Sequence, residues 1–582
     1  MHWLISKLSP HTSLLTAAGI FLFFLALRFP FQAEFLVNWD AVNYALGTNL
    51  FSLEHHQPHP PGYIGYIALG WLLNHLTADA NMSFTLLSTL SGALAPAALF
   101  LLAYRFMSRL YALLTGLAFG LSPVVWYYSE VALSYSLAMA MALFFLWTAY
   151  RARADNSTRS LYLATVLLIL LGSVRQSGAL FLIPLWLFVV WSFSWSTLFR
   201  VGALLVAGNL AWLIPLFVLA GDPLAYLRAS ASLASLAVAP TSVFAQDGFG
   251  ILRNMAFVAS GILAGVNAGL VIIALSYLFR AKPLSVLSVW DRKFFLLWLV
   301  PSLATYVLIH TGQLGYVLLV LPVGYLWAGL AMNALAGKFR DQRRVDAIQH
   351  NGLLFPVKFL IPALAVLLLM ANTASSLYLP QAAYDLVNTA KENAASSKTA
   401  ELIRSLPQLK SLSEKQGAKL SNTMRQFDVD KNDEHWEQII ELIEGFEPEE
   451  TAILALPEGS GSFRHLTYYL PEYRMYGVGE GRNKDFGHLF TAHNKTSNYS
   501  VQGLKNSKSI LDLPENINCL VIPDREIYKA LDDDVERFFI STESPTKICV
   551  VPDPSRSMLY FDQKKKSIAR IIESPFFTYK EP

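Results

Sequence analysis

Residues Leu14–Leu27 read LLTAAGIFLFFLAL, an unbroken apolar run that is followed at once by Arg28-Phe29-Pro30. A chain entering hydrocarbon must satisfy its own backbone hydrogen bonds, so a run of this kind is a membrane helix. Small residues at a cleavage point would mark a removed leader; here an arginine and a proline follow, so the run is expected to be retained. Further apolar stretches recur at about 83–104, 110–127, 131–150, 160–174, 177–195, 199–220, 251–279, 294–310, 314–335 and 353–373, giving an expectation of about eleven transmembrane helices. The composition agrees. Hydrophobic residues make up 54% of the 582 and charged residues only 15%, against roughly 25% charged in an average soluble domain.

Lysine and arginine orient these spans, because basic loops stay on the cytoplasmic side. Arg105/Arg109, Arg151/Arg153/Arg159, Arg280/Lys282/Arg292/Lys293 and Lys338/Arg340/Arg343/Arg344 all fall on one face. The connections of the other face are nearly bare: residues 29–82 hold no Lys or Arg, and 221–250 hold only Arg228. The expectation is a cytoplasmic N-terminus, with loop 29–82 and everything after the last span outside, as in the periplasm of a bacterium. Residues 1–375 are then a transmembrane domain. Residues 376–582, where Lys, Glu, Asn and Ser become frequent, form an extracytoplasmic soluble domain.

Short β-rich runs at Ala452–Leu456, Arg474–Val478, Cys519–Ile522 and Ile548–Val551, with helical patterns such as His435–Gly445, suggest that this C-terminal domain is α/β with a mainly parallel sheet. No Gly-rich phosphate loop or catalytic constellation stands out in it. Its role is acceptor binding or structural capping. A net charge of +3 in so long a chain implies no nucleic-acid partner. The two cysteines, Cys519 and Cys549, permit one disulfide and require none.

Against the general scarcity of basic residues on the outer face, Arg28, Arg175, Arg228 and Arg253 lie at or near the outer ends of spans. An arginine at membrane depth is costly and takes a partner or an anion. Snorkelling to lipid phosphate accounts for any one of them; four together point to a bound phosphate, with Arg175, Arg28 and Arg253 as its candidate ligands. Arg175 ranks first, because Ser173-Val174-Arg175-Gln176-Ser177 interrupts an apolar region.

The chemistry is densest in the first outer loop: Asn38-Trp39-Asp40-Ala41-Val42-Asn43-Tyr44, then Glu54-His55-His56-Gln57-Pro58-His59-Pro60-Pro61-Gly62-Tyr63. Asp40 follows Phe35, Leu36, Val37 and Trp39, so a short interfacial helix would hold it at the membrane surface. Partial desolvation makes a carboxylate more basic, which suits removal of a proton from an acceptor hydroxyl. Tyr44, four residues on, would share its helix face. An acid near a helix start is, for an ordinary loop, a cap and nothing more. Glu54, His55 and His59 leave open a divalent metal site, although Pro58, Pro60 and Pro61 keep this stretch extended; hydrogen bonding of His55, His56 and His59 to sugar or phosphate is the favoured reading. Pro60-Pro61-Gly62 would lead by a rigid turn into an interfacial segment, Tyr63–Leu76. Glu130, in the turn Trp126-Tyr127-Tyr128-Ser129-Glu130, faces the same compartment. His310-Thr311-Gly312-Gln313 and Tyr316 could complete a pocket with it.

The pattern Arg28…Trp39-Asp40-x-x-x-Tyr44…His59-Pro60-Pro61-Gly62-Tyr63 resembles the first outer loop of GT-C-fold glycosyltransferases, in the branch of the protein O-mannosyltransferases and lipid A aminoarabinose transferases. Residues match in 28–63, and more loosely at Arg175 and Tyr316; the topology matches over 1–375. The resemblance implies a GT-C-like membrane enzyme that moves a sugar from a polyprenyl-phosphate donor to a lipid, glycan or protein hydroxyl, with inversion. It implies Asp40 as the catalytic acid residue, and for Glu130 a role in acceptor or metal binding or as partner to an arginine. Many relatives carry two adjacent acids where this chain has Asp40-Ala41, so a role that needs the second carboxylate has no bearer here. The other reading is a lipid or saccharide transporter or flippase without bond cleavage. Transporters are usually built from two related halves and broken midplane helices, and the sequence displays neither.

Overall fold

The computed structural model describes residues 10–53, 55–244, 250–310, 312–349, 369–370, 372, 426–455, 463–480 and 486–492, together with short segments between 502 and 571. The chain divides into two compact units. One comprises Met1–Ala33 with Tyr63–Asp430, the other Glu34–Gly62 with Lys431–Pro582.

The first unit is helical. Its helices relevant here are α1 (Pro10–Arg28), α3 (Ile64–Thr77), α4 (Ala80–Ala103), α5 (Arg109–Gly120), α6 (Pro123–Glu130), α7 (Tyr135–Ala154), α8 (Thr158–Val174), α9 (Gln176–Val190), α10 (Trp195–Leu219), α11 (Pro223–Leu233), α12 (Gly250–Val266), α13 (Ala268–Leu278), α14 (Val289–Leu308) and α15 (Leu321–Gln349). Residues Thr12–Phe31, Ala80–Ala103 and Trp195–Leu219 are each long and apolar enough to cross a membrane; counting the bent pairs α5/α6 and α12/α13 as one span each brings the number to five among the described residues. The burial pattern says what surrounds them. Helix α4 is buried along nearly its whole length, whereas α10 buries only Val201 and Leu216 and exposes Trp195, Phe199 and Val218. So much exposed apolar surface has no place in water and is at home in lipid. The chain is an integral membrane protein.

Two expected spans are broken, and the residues explain where. The run 110–127 bends by 57° between α5 and α6, where Pro123 opens the second helix; proline has no N–H for the preceding turn and fits the first turn of a helix. The run 251–279 bends by 88° at Asn267, whose backbone (φ 44°, ψ −116°) lies outside the helical region and so ends the hydrogen-bonded run between α12 and α13. The interfacial segment expected over Tyr63–Leu76 is helix α3. The pair expected at 160–174 and 177–195 corresponds to α8 and α9. Most of the span expected at 353–373 lies outside the described residues.

The second unit carries α2 (Trp39–Asn49) in its N-terminal segment. Its C-terminal segment carries α16 (Gln426–Glu444, which begins before Lys431), α17 (Phe463–Tyr469) and a five-stranded sheet. The strands are β1 (Thr451–Ala455), β2 (Arg474–Glu480), β3 (Phe486–Ala492), β4 (Gln502–Gly503) and β6 (Cys519–Val521), in the order β4-β3-β2-β1-β6. β1 runs parallel to β2 and β6, while β2–β3 and β3–β4 are antiparallel. The sheet is therefore mixed, not mainly parallel: α17 gives β1–β2 a helical crossover, and the chain then turns straight back from β2 into β3. β5 (Ser509–Asp512) pairs with β7 (Phe538–Ser541), and β8 (Met558–Asp562) with β9 (Ser567–Ile571). The expected strand at Ile548–Val551 and Cys549 lie outside the described residues, as do Glu54 and Thr311. Trp436, Ile439, Ile453, Leu466 and Met475 form the core between helices and sheet, and Phe35 of the N-terminal segment packs against it.

Candidate functional site

In the helical unit the break between α8 and α9 places Arg175. Val174 ends one helix, Gln176 starts the next, and Arg175 between them is extended (φ −153°, ψ 97°) and only 6% exposed. Its Nη1 donates to Ser134 Oγ at 3.1 Å. Its guanidinium carbon stands 3.9 Å from the ring centre of Tyr135, 5.2 Å from that of Tyr316 and 5.8 Å from that of Tyr63. A guanidinium is attracted to the faces of such rings, and more strongly where water is excluded. The rings support one another: Tyr135 meets Tyr128 at 5.0 Å and Tyr316 at 5.9 Å, and Tyr316 meets Tyr306 at 5.3 Å. Gly315 donates its N–H to Tyr128 Oη at 2.7 Å; a Cβ there would come within 2.6 Å of the Tyr135 ring, so the close approach needs glycine.

The cluster continues to a second arginine. His310 meets the Tyr316 ring edge-on at 5.6 Å, and its Nδ1 is 2.7 Å from Thr241 Oγ1. Arg253 donates from Nη2 to the carbonyl of Thr241 (3.0 Å) and to Asn254 Oδ1 (3.1 Å), while Asn254 Nδ2 ties Thr241 to Val307. Arg175, Tyr63, Tyr316, His310 and Arg253 are thus linked within one unit. Arg228 is exposed and turns its Nε toward Leu224 O of its own helix.

Arg28 and Glu130 meet each other. Both are fully buried, with Nε–Oε1 at 3.8 Å, and Arg28 Nη2 donates to Gly120 O at 2.6 Å. Phe24 and Trp126 flank the guanidinium at 4.9 and 5.7 Å. Gly92 makes room, since a Cβ there would lie 2.8 Å from Arg28 Nη1 and 2.0 Å from Ser129 Oγ. The pair links the end of α1 to the end of α6.

In the other unit, Asn38 caps α2 by accepting from Ala41 N–H at 3.0 Å. That leaves the carboxylate of Asp40, in the first turn, to face His59: Nδ1 and Oδ1 are 3.6 Å apart, with the Asp40 side chain 23% exposed. Tyr44, one turn further along α2, sets its ring 5.5 Å from that of His59, as i and i+4 on one helix face require. The His55–His59 segment is folded back by reciprocal backbone bonds between Ser52 and Gln57 (2.6 and 2.8 Å). Gly47 admits it closely, since a Cβ there would touch Pro58 at 3.0 Å. His55 Nδ1 is 3.0 Å from Ser52 Oγ. Burial, reinforced by Arg464, pushes the His56 imidazole down to about 4, so it is neutral at physiological pH. Among the described residues no three His, Cys, Asp or Glu side chains are grouped to hold a metal; Glu54 is not among them.

The sequence reading named neither Ser134, Tyr135 and Tyr306 around Arg175 nor Asp433, Arg464 and His465 beside the first loop. Nothing in the residue pattern set the first three apart from ordinary packing positions. For the others the adjacent Arg464-His465 pair, in an aromatic run otherwise typical of a core, was the visible trace.

No family model matches the chain, and no curated protein does. Solved structures do. The structure of ArnT from Cupriavidus metallidurans bound to undecaprenyl phosphate aligns over 80% of this chain and 86% of its own, at 14% identity and a TM-score of 0.48. The apo structure of the same protein aligns over 81% and 87%, at 17% identity and a TM-score of 0.44.

Proposed function

We propose that this chain is a membrane glycosyltransferase that moves a sugar from a polyprenyl-phosphate donor to a hydroxyl acceptor, with inversion at the anomeric carbon. The observation that carries the reading is Asp40 paired with His59 at 3.6 Å, half-shielded on the first turn of α2 and relieved of capping by Asn38. In this reading Asp40 takes the acceptor proton as the hydroxyl oxygen bonds to the anomeric carbon and the carbon–oxygen bond to phosphate breaks. The polyprenyl phosphate leaves carrying the electron pair. His59 fixes the carboxylate and, with Tyr44, His55 and His56, offers hydrogen bonds to the acceptor or sugar.

In this reading charge on the leaving phosphate falls to the helical unit, where buried Arg175 supplies positive charge in a dry setting and part-buried Arg253, beyond Tyr316 and His310, adds to it. Arg28 and Glu130, already facing each other, are assigned to architecture. Loop 29–82 and the C-terminal segment are placed outside the cytoplasm, on the strength of where Lys and Arg lie. A lipid donor delivered through the membrane needs no nucleotide site.

The test uses the full chain in lipid nanodiscs with a radiolabelled polyprenyl-phosphate sugar. The wild type is expected to release free polyprenyl phosphate. Asp40→Asn should slow release by about 10²–10⁴-fold, the usual worth of a general base, with donor binding unchanged. Undiminished release by Asp40→Asn removes the base assignment. Passage of label across a liposome without bond cleavage identifies a transporter instead.

A further inference from the structure

Three successive backbone amides ahead of Asp40 are held by side chains of the C-terminal segment, all within one compact unit. The N–H groups of Glu34 and Phe35 donate to Asp433 Oδ2 and Oδ1 at 2.8 and 3.0 Å, and that of Leu36 donates to Tyr469 Oη at 2.7 Å. The carbonyl of Leu36 lies 2.9 Å from His465 Nε2, so that nitrogen carries the proton and donates. Burial pushes the His465 imidazole down to about 3, which keeps it in this neutral form. Its ring lies flat on Trp436, with centroids 4.3 Å apart and planes 6° from parallel. Around these bonds Phe35 meets the Tyr469 ring at 5.2 Å, and Leu36 is wholly buried. The far arm of the loop is gripped from the same helix: Arg464 Nη2 donates to His55 O at 2.6 Å, with its guanidinium 5.0 Å from the ring centre of Trp39.

A carboxylate with one oxygen on each of two consecutive amides is a two-point clamp, and hydrogen bonds to an ionised group are the stronger kind. Only three residues separate Leu36 from Asp40, and Asn38 among them already commits the chain to α2. Fixing residues 34–36 therefore fixes the start of α2, and with it the aim of the Asp40 carboxylate at His59. We propose that Asp433, assisted by Tyr469 and His465, is the positioning residue of the first loop, so that the C-terminal segment sets the geometry of Asp40 by gripping the backbone ahead of it. The kinetic part of this inference rests on the transferase reading; the clamp itself does not.

The experiment compares full-length wild type, Asp433→Asn and Tyr469→Phe in nanodiscs by hydrogen exchange and by transfer kinetics. Asparagine offers one acceptor where two amides need two, and it turns a donor toward the second. Tyr469→Phe removes a single hydroxyl and retains the ring against Phe35. Both variants are expected to exchange the amides of Glu34–Leu36 roughly tenfold or more faster, while those of β1 and the C-terminal half of α16 keep their protection. They should lower kcat per folded molecule about tenfold with the donor KM unmoved, and the retained protection of β1 and α16 separates this from general unfolding, which would lower only the number of active molecules. Unchanged exchange at 34–36 overturns the clamp. Faster exchange there with an unaltered kcat overturns its positioning role. A wild type that transfers no sugar overturns the parent reading alone, and the exchange data then still decide whether the clamp exists.

Discussion

Arg175 shows how much one residue type matters in one place. Its guanidinium lies 3.9 Å from the Tyr135 ring while Nη1 reaches Ser134, which asks for a flat, delocalised cation with donors at its edge. Lysine keeps the charge and loses the plane and the fork. If the cation meets the charge developing on the donor phosphate, Arg175→Lys should lower kcat/KM for the donor by about tenfold, the effect of losing ~1.4 kcal/mol of transition-state stabilisation; titration of the variant with the labelled donor reads this directly. An unmoved kcat/KM would take Arg175 out of the phosphate site. Its place in the break between α8 and α9 was legible in the sequence, because a lone charge in an apolar stretch is conspicuous. Its tyrosine neighbours were not: Tyr135 and Tyr306 stand in other helices, far away in the chain, where an aromatic at helical spacing reads as packing. The pairing of Asp40 with His59 was half legible. The helix face shared with Tyr44 follows from spacing, but the return of the His55–His59 arm onto that face depends on the Ser52–Gln57 backbone bonds, which no residue pattern announces.

The helices were legible wherever apolar length alone decided them, and their breaks were not. A continuous hydrophobic run hides a bend, because lipid-facing and buried positions both favour the same residues; the 57° turn into α6 becomes visible only through Pro123, and the 88° turn at Asn267 only through its backbone angle. That turn into α6 has a consequence for stability. It ends in Glu130, whose carboxylate faces Arg28 at the end of α1, with both side chains inaccessible to solvent. Removing one member of a buried ion pair strands the other and costs about 3–5 kcal/mol, whereas replacing both with well-packed apolar residues is close to neutral or stabilising. Glu130→Leu and Arg28→Met are therefore each expected to lower the thermal unfolding temperature in detergent sharply, and the double variant to regain most of the loss. If donor turnover per folded molecule survives in the double variant, the pair is architectural. Loss of turnover with stability restored would return Arg28 or Glu130 to the chemistry.

At the scale of the whole molecule, the apolar runs that make the chain an integral membrane protein, and the change to polar composition after about residue 375, were legible in the sequence. The grouping of residues 34–62 with the C-terminal segment was not, since it rests on Asp433, Tyr469 and His465 recognising backbone atoms, and backbone atoms leave no signature in a sequence. The same grouping makes this unit sensitive to acid. His465 and His56 are held by burial at about 3 and about 4, below the value near 6.5 of an unfolded histidine. As pH falls from about 6.5 toward 4, the unfolded unit takes up two protons that the folded unit refuses, and stability is lost. Asp433 acts with the opposite sign. Burial raises its carboxyl to about 6, so between about 6 and 4 the folded unit binds one proton more readily than the unfolded chain does, which offsets one histidine. The remaining imbalance of about one proton corresponds to ~1.4 kcal/mol of lost stability per pH unit. Hydrogen exchange of β1 and the C-terminal half of α16 at pH 7 and pH 5, corrected for intrinsic rates, should therefore show opening free energies that fall with acid. His465→Gln keeps a donor for Leu36 O without a titrating ring, and it should flatten the dependence. A unit equally protected at both pH values would mean that His465 and His56 reach water in the folded state, and the tight seating of the first loop on the C-terminal segment would have to be given up.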